Sequence, residues 1–272
     1  MVLRAYLDGS ETESEFLTLA CIAATDDIWG SLENAWETVR MERGNPSALH
    51  MTEAMSLNGE FANWSAEDRD QLVEGFLGVL EEHRTETRLR TFTCTVNLAS
   101  HGKWKSARRL PSPARLCARI VFPHLLEWYW GIGDLVVEPM DVVFDRNEPF
   151  MRHLDADWKN PQIRKRYPVW NAIRCIHSAV ASDTPALQLA DMVAWGRNRF
   201  STYRDLSTKP WETDKHYIVA HRCISTIAGI HREVGEAALS SSTFEEEGFE
   251  LMNAQRKRQL EAAFLKRAII RV

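Results

Sequence analysis

Three aspartates occupy positions where a carboxylate can do chemistry. Asp8 follows the run VLRAYL, Asp145 follows VVF, and Asp191 stands inside ALQLADMVAW, residues 186–195. In that last stretch Leu187, Leu189, Ala190, Val193 and Ala194 cover most of a helical circumference. A helix apolar nearly all round is a buried helix. A carboxylate in its middle has to pair, hold a proton or meet a cation. Gln188 and Trp195, at i−3 and i+4, are the side chains placed to form a polar edge around it, and Gln188 is the one suited to orient a ligand or a water. Converging carboxylates repel unless a divalent cation lies between them. An all-oxygen ligand set suits Mg²⁺ or Mn²⁺. Two such ions roughly 4 Å apart would activate water and stabilise the leaving oxygen in phosphodiester cleavage. The plainer alternatives are turn or cap roles for Asp8 and Asp145, and an arginine salt bridge for Asp191.

Basic residues beside aromatics form a second group. HGKWKSARR, residues 101–109, sets Lys103, Lys105, Arg108 and Arg109 around Trp104. IRKRY, 163–167, and GRNRF, 196–200, repeat the theme, the latter with Arg197 and Arg199 soon after Asp191. Cationic side chains hold phosphates and a ring can stack on a base. Solvated loops and helix faces carry such runs as well.

The elements that must position these groups can be read from apolar spacing. Residues 2–8 and 16–24 read as two strands of a hairpin, with GSETESE as the turn. Ile28, Leu32, Trp36 and Val39 recur at helical spacing, and a second helix starts at Ser65 with Asp68 three residues on. Residues 88–98 alternate like a strand. ARLCARIVFPHLLEWYW reads as a long helix kinked at Pro123. EPMDVVFDR reads as a strand ending at Asp145, NEPFMRHLDADWKNPQIRKRY as helix and loop, and 169–180 as the last strand. Thr184 and Pro185 are a cap and a first helical residue. Residues 214–238 read as helical, and 249–270 as a final amphipathic helix. The order predicts an α/β protein with a ribonuclease H-like mixed sheet flanked by helices: three strands, then alternating helix and strand. A helical insertion of about residues 26–86 follows the second strand. Residues 1–240 form the main domain and 241–272 a helical extension.

Composition bounds the partners. The chain has 272 residues, 44% hydrophobic and 26% charged, with net charge −5, so any nucleic acid must be held by a local basic patch. The five cysteines are scattered without metal-ligand spacing, which fits a reducing cytoplasm. No run of eighteen apolar residues is present, so no membrane span is expected.

YLDGSETESEFLTLACIAA, VVFDRN and SDTPALQLADMVAWGRNRF together resemble the domain of unknown function 3800 family, a bacterial and phage-borne group. The late LQLAD stretch is the most specific, and the likeness spans roughly residues 2–200. It implies a ribonuclease H-like fold and a metal-dependent nuclease acting on DNA or RNA, with Asp8, Asp145 and Asp191 as Mg²⁺ or Mn²⁺ ligands and Gln188 beside them. The family usually has an acid directly after the first aspartate. Here the turn reads Asp8-Gly9-Ser10-Glu11, so Glu11 could serve only if the turn curls back. A fourth carboxylate has two candidates: Glu53 in LHMTE, with His50 as a proton shuttle, and Glu127 in the helix after the third strand. Two further functions stay open: a non-catalytic module binding nucleic acid or protein on the same fold, and a hydrolase of a phosphorylated small molecule. The last helix could brace nucleic acid or pair two copies as a homodimer.

Overall fold

Strand β1 (Leu3–Thr12) and strand β2 (Phe16–Thr25) form the first hairpin of a computed structural model that describes residues 2–12, 15–108, 110–131, 139–146, 148–166, 168–205 and 214–240. Every residue of β2 is buried, as expected of a strand covered on both faces. β1 runs four residues past Asp8, pairing Gly9 with Leu19 and Thr12 with Phe16. The expected turn at GSET is therefore strand. Its residues have poor strand propensity, but the buried partner and a clamp from Asn198 override it: Asn198 Nδ2 donates to the carbonyls of Ser10 and Phe16 at 3.0 and 3.1 Å. Glu11 is exposed and paired in register with Leu17, so it does not curl back toward Asp8.

The sheet is completed by β3 (Leu89–Asn97), β4 (Met140–Asp145), β5 (Ile173–Ala179) and β6 (Gly229–Val234). The six strands lie in the order β5-β4-β1-β2-β3-β6. β2 is antiparallel to both of its neighbours, and the β1–β4, β4–β5 and β3–β6 pairs are parallel. β6 corrects the reading of residues 214–238 as wholly helical. The helix stops at Ser225 and the chain returns to pair with Thr91–Val96. Gly229 makes this entry possible: a Cβ there would lie 2.2 Å from the Thr91 carbonyl oxygen.

Between β2 and β3 come α1 (Asp26–Glu42), α2 (Met51–Ser56) and α3 (Ala66–Glu82), the expected helical insertion. Ser65 caps α3 as its spacing predicts, its hydroxyl accepting the Asp68 N–H at 3.0 Å. The stretch 101–109, read as a polar segment, is mostly α4 (Leu98–Arg108); Arg109 lies outside the described residues. α5 (Pro113–Gly131) continues through Pro123. α6 (Pro149–Lys159), α7 (Pro161–Arg166), α8 (Pro185–Asp205), α9 (Lys215–Ser225) and α10 (Glu236–Ser240) follow. No described helix is long and apolar enough to cross a membrane. The expected helix at 249–270 falls outside the described residues.

Two apolar cores sandwich the sheet. Leu3, Ala5 and Leu7 of β1 join Met140, Val142 and Phe144 of β4 under α5 and α6. Tyr6, Ala20, Ile22 and Val143 face the other way, under α1, α3 and α8, where Trp36 stacks on Phe76 at 3.9 Å. The alternation of side chains along a strand thus assigns Asp8 and Asp145, the next residues in phase with Tyr6 and Val143, to the α8 face.

Candidate carboxylate centre

Asp8 and Asp145 stand side by side because of strand register. β1 and β4 are parallel, with Leu7 opposite Phe144. The next residue on each strand is the aspartate, and adjacent strands lie about 4.8 Å apart. β4 ends at Asp145 and the β1–β4 pairing ends one residue earlier, so both carboxylates sit at the end of the parallel ladder. Strand carboxyl ends are where ligands collect in open α/β sheets.

Asp191 is brought over them by α8, whose Leu187, Ala190, Val193 and Ala194 are buried in the core on that face. Asp191 Oδ2 accepts the N–H of Met51, the first residue of α2, at 2.7 Å. The expected polar edge with Trp195 does not form: the Trp195 indole packs edge-on to His216 instead. Gln188, one turn before Asp191, makes three hydrogen bonds within the fold. Its Oε1 accepts Trp36 Nε1–H at 3.1 Å and the Leu49 N–H at 2.9 Å, while its Nε2 donates to the Ala181 carbonyl at 2.8 Å. Gln188 therefore holds the extended segment before α2 in place. With Leu49 fixed to Gln188, Met51 is two residues further on and reaches Asp191. His50, between them, lies close enough to oppose the rise of the Asp191 carboxyl.

Glu148 completes the cluster and was not singled out from the sequence. Its only signal was the spacing Asp145-x-x-Glu148 before Pro149. The electrostatics bind the four acids into one unit. Burial pushes the Asp8 carboxyl well above the usual range, and the charges of Asp191 and Glu148 add to this against a 2.8 Å hydrogen bond from the Gly9 N–H. Burial also raises Glu148, reinforced by Asp145 and Asp191 and opposed by hydrogen bonding with the Asp8 carboxyl and the Gly9 N–H. Asp191 is raised to about 6, first by burial, with Asp145 and Glu53 adding to it while Met51 N–H and His50 oppose. Such mutual elevation is the signature of acids crowded at one place. Glu148 Oε2 is sealed from solvent and accepts no hydrogen bond, whereas a proton held between the two carboxyls would satisfy the Asp8–Glu148 pair.

The remaining predicted residues divide. Glu53 lies on α2 close enough for its charge to act on Asp191, but its carboxylate packs over Gly59, where a Cβ would come within 2.2 Å of Oε2. Glu127 is on α5, which covers the opposite face of the sheet, and lies 3.8 Å from His124 Nδ1; it does not join the cluster. Lys103 is paired with Glu236 at 2.6 Å, and Trp104 is half-buried against the core. Lys105 is exposed on α4, and Arg108 ends that helix. Arg197 lies over the Phe200 ring at 5.6 Å and its charge acts on His231 of β6, whereas Arg199 acts on Tyr203 and His216. The basic residues thus face different neighbours. Among the described residues no group of three or more His, Cys, Asp or Glu side chains is placed to hold a metal ion. Compared with known proteins, the chain matches no family model, no curated protein and no solved structure.

Proposed function

We propose that the chain is a divalent-metal-dependent nuclease of the domain of unknown function 3800 type on a ribonuclease H-like fold. The observation that carries this reading is the convergence of Asp8, Asp145 and Asp191 from two parallel strands and a crossing helix onto one sheet face. The strand order β5-β4-β1-β2-β3, with β2 reversed and helices following β3, β4 and β5, supports the fold half of the proposal. The donor set is all oxygen and all anionic, which suits Mg²⁺ or Mn²⁺ over softer metals. Carboxyls raised by burial and by neighbouring acids are the groups whose protons a divalent ion displaces. Asp8, Asp145 and Asp191 are the residues to hold it. When bound, the metal supplies an activated water and charge to offset the leaving oxygen.

The chain's own part is positional. The Gly9 N–H holds one oxygen of Asp8, and the Met51 N–H holds one oxygen of Asp191. Gln188 keeps the Met51 segment seated. α4 leaves the same end of the sheet two strands from β1, and its exposed Lys105 is a cation available to follow a nucleic acid backbone. The competing reading is a binding module without catalysis, favoured by the lack, among the described residues, of a group of three such side chains placed to hold a metal ion.

Calorimetric titration of Mn²⁺ into the parent, Asp8→Asn and Asp191→Asn decides between them, followed by DNA and RNA cleavage with Mg²⁺, Mn²⁺ or chelator. Binding lost in both variants, with chelator-sensitive cleavage, is the expected result. No binding by a folded parent, together with chelator-insensitive nucleic acid binding, would establish the module instead.

A further inference from the structure

The helical insertion holds a cleft outside the carboxylate cluster. The corner at residues 42–44 that ends α1, with Asn63, Trp64, Asp68 and Gln71 around the start of α3, encloses about 340 Å³. That is the small end of the roughly 300–1,000 Å³ of small-molecule sites. The fold fixes its walls. Gly44 and Asn45 are both left-handed, with φ of 93° and 52°. The Asn45 N–H donates to the Arg40 carbonyl at 2.9 Å, and Arg40 Nη1 donates to the Pro46 carbonyl at 2.7 Å. Across the cleft, the Trp64 backbone N–H donates to the Phe61 carbonyl at 3.0 Å, and the indole stands edge-on to the buried Phe61 ring at 5.1 Å. A Cβ at Gly44 would lie 2.7 Å from Trp64 Cη2, so glycine is what lets the corner close on the indole. Walls held this way spare a ligand the cost of ordering them.

The groups around the indole select the ligand class. Trp64 is half-buried, and the five polar side chains beside it are exposed: Glu42, Arg43, Asn63, Asp68 and Gln71. Two are already oriented. Arg43 Nη1 donates to Gln71 Oε1 at 3.0 Å, and Asp68 Oδ2 accepts the Ser65 hydroxyl at 2.6 Å. A phosphate or carboxylate would meet Glu42 and Asp68, and a cation would meet Arg43. A wholly apolar ligand would strip water from these side chains and return no hydrogen bonds. A neutral ring with a C–H face and a rim of hydroxyls fits all of them. The face lies on the indole. Hydroxyls donate to the carboxylates, accept from the guanidinium and do both with the amides.

We infer that this cleft binds a neutral saccharide, with one sugar ring stacked on Trp64 and its hydroxyls shared among Glu42, Arg43, Asn63 and Asp68. A second cleft of about 600 Å³ shares Arg43 and Gln71 with the first and continues along α3 to Glu74 and Gly75. A further sugar unit extends from the stacked ring in that direction. The site stands apart from the metal-dependent reading, since none of its lining residues belongs to the carboxylate cluster.

The test is saturation-transfer NMR on the full chain with glucose, galactose, N-acetylglucosamine, maltose and cellobiose as probes, and adenosine and thymidine as rivals. Each variant is first checked for folding by circular dichroism. Transfer from the parent to the ring protons of at least one saccharide is expected. Trp64→Ala should weaken that binding about tenfold, the scale of one aromatic contact, and Asn63→Ala should weaken it less. A disaccharide should bind more tightly than its single sugar. A folded parent that transfers to none of the five saccharides overturns the assignment, as does parental affinity in a folded Trp64→Ala. Transfer to adenosine or thymidine alone replaces it with a base-stacking site. If Trp64→Ala fails to fold, the exposed pair Asn63→Ala and Gln71→Ala takes its place: weakened saccharide binding in that double variant upholds the assignment, and parental binding sinks it.

Discussion

Met51 and Asp191, separated by 140 positions in the chain, are joined by a 2.7 Å hydrogen bond from the Met51 N–H to Asp191 Oδ2. This contact ties the helical insertion to the carboxylate centre. It also gives the buried acid on α8 a local structural role: one of its oxygens holds the start of α2.

Asp191→Asn should therefore fold, since an amide oxygen can still accept the Met51 N–H, while metal binding and cleavage disappear. Asp191→Ala leaves that N–H unsatisfied and should cost about 1–3 kcal/mol in urea denaturation. An Asp191→Asn protein that cleaves like the parent would remove Asp191 from the chemistry.

Asp191, raised to about 6, binds its proton more tightly folded than unfolded. Its contribution to stability is whole below the ordinary carboxylate range and is lost as pH climbs through about 6, at most about 3 kcal/mol for this group. Asp8 and Glu148, also raised, act in the same direction. His231, lowered to about 4 by burial, acts oppositely, losing stability as pH falls from its ordinary range toward 4. Comparing parent with Asp191→Asn cancels the histidine. Urea melts at pH 5 and 7.5 should show the variant gaining on the parent at the higher pH; an equal gap at both would refute a protonated Asp191.

Mn²⁺ should replace that proton. Added at millimolar concentration it is expected to raise the melting temperature at pH 7.5 and to do so less at pH 5, where protons compete. Scanning calorimetry with and without the ion reads this directly, and a shift independent of pH would point to a site elsewhere.

Gln188→Ala should act on the fold before it acts on chemistry. It orphans the Leu49 N–H and the Trp36 indole N–H, for about 2–4 kcal/mol in denaturant melts. Mn²⁺ binding should persist in the folded fraction. Intact stability with abolished binding would make Gln188 a direct participant.

Lys105→Ala on exposed α4 should leave stability unchanged and weaken binding of a fluorescent oligonucleotide, reducing the salt slope by about one. Lys103→Ala, which loses an exposed pair with Glu236 and a contact over the Trp104 ring, should leave stability close to the parent's. An unaltered salt slope in Lys105→Ala would take α4 out of the binding surface.

The sequence by itself determined the parts whose causes are local. Apolar spacing marked α1, α3 and α8, Ser65 and Asp68 marked a helix start, and the strand-ending position of Asp145 followed from VVF and the polar residues after it. It also posed the demand at Asp191, since a carboxylate on an apolar helix needs an answer wherever it lies. Only the tertiary structure decided who answers. β1 extends past Asp8 because β2 and Asn198 hold it, and β6 exists because β3 offers a free edge beside Gly229. Gln188 became a brace because Leu49 and Trp36 bond to it, and Glu148 packs against β1 because Gly9 left room. Hydrogen-bond partners and steric openings are set by residues distant in the chain, and periodicity carries no record of them.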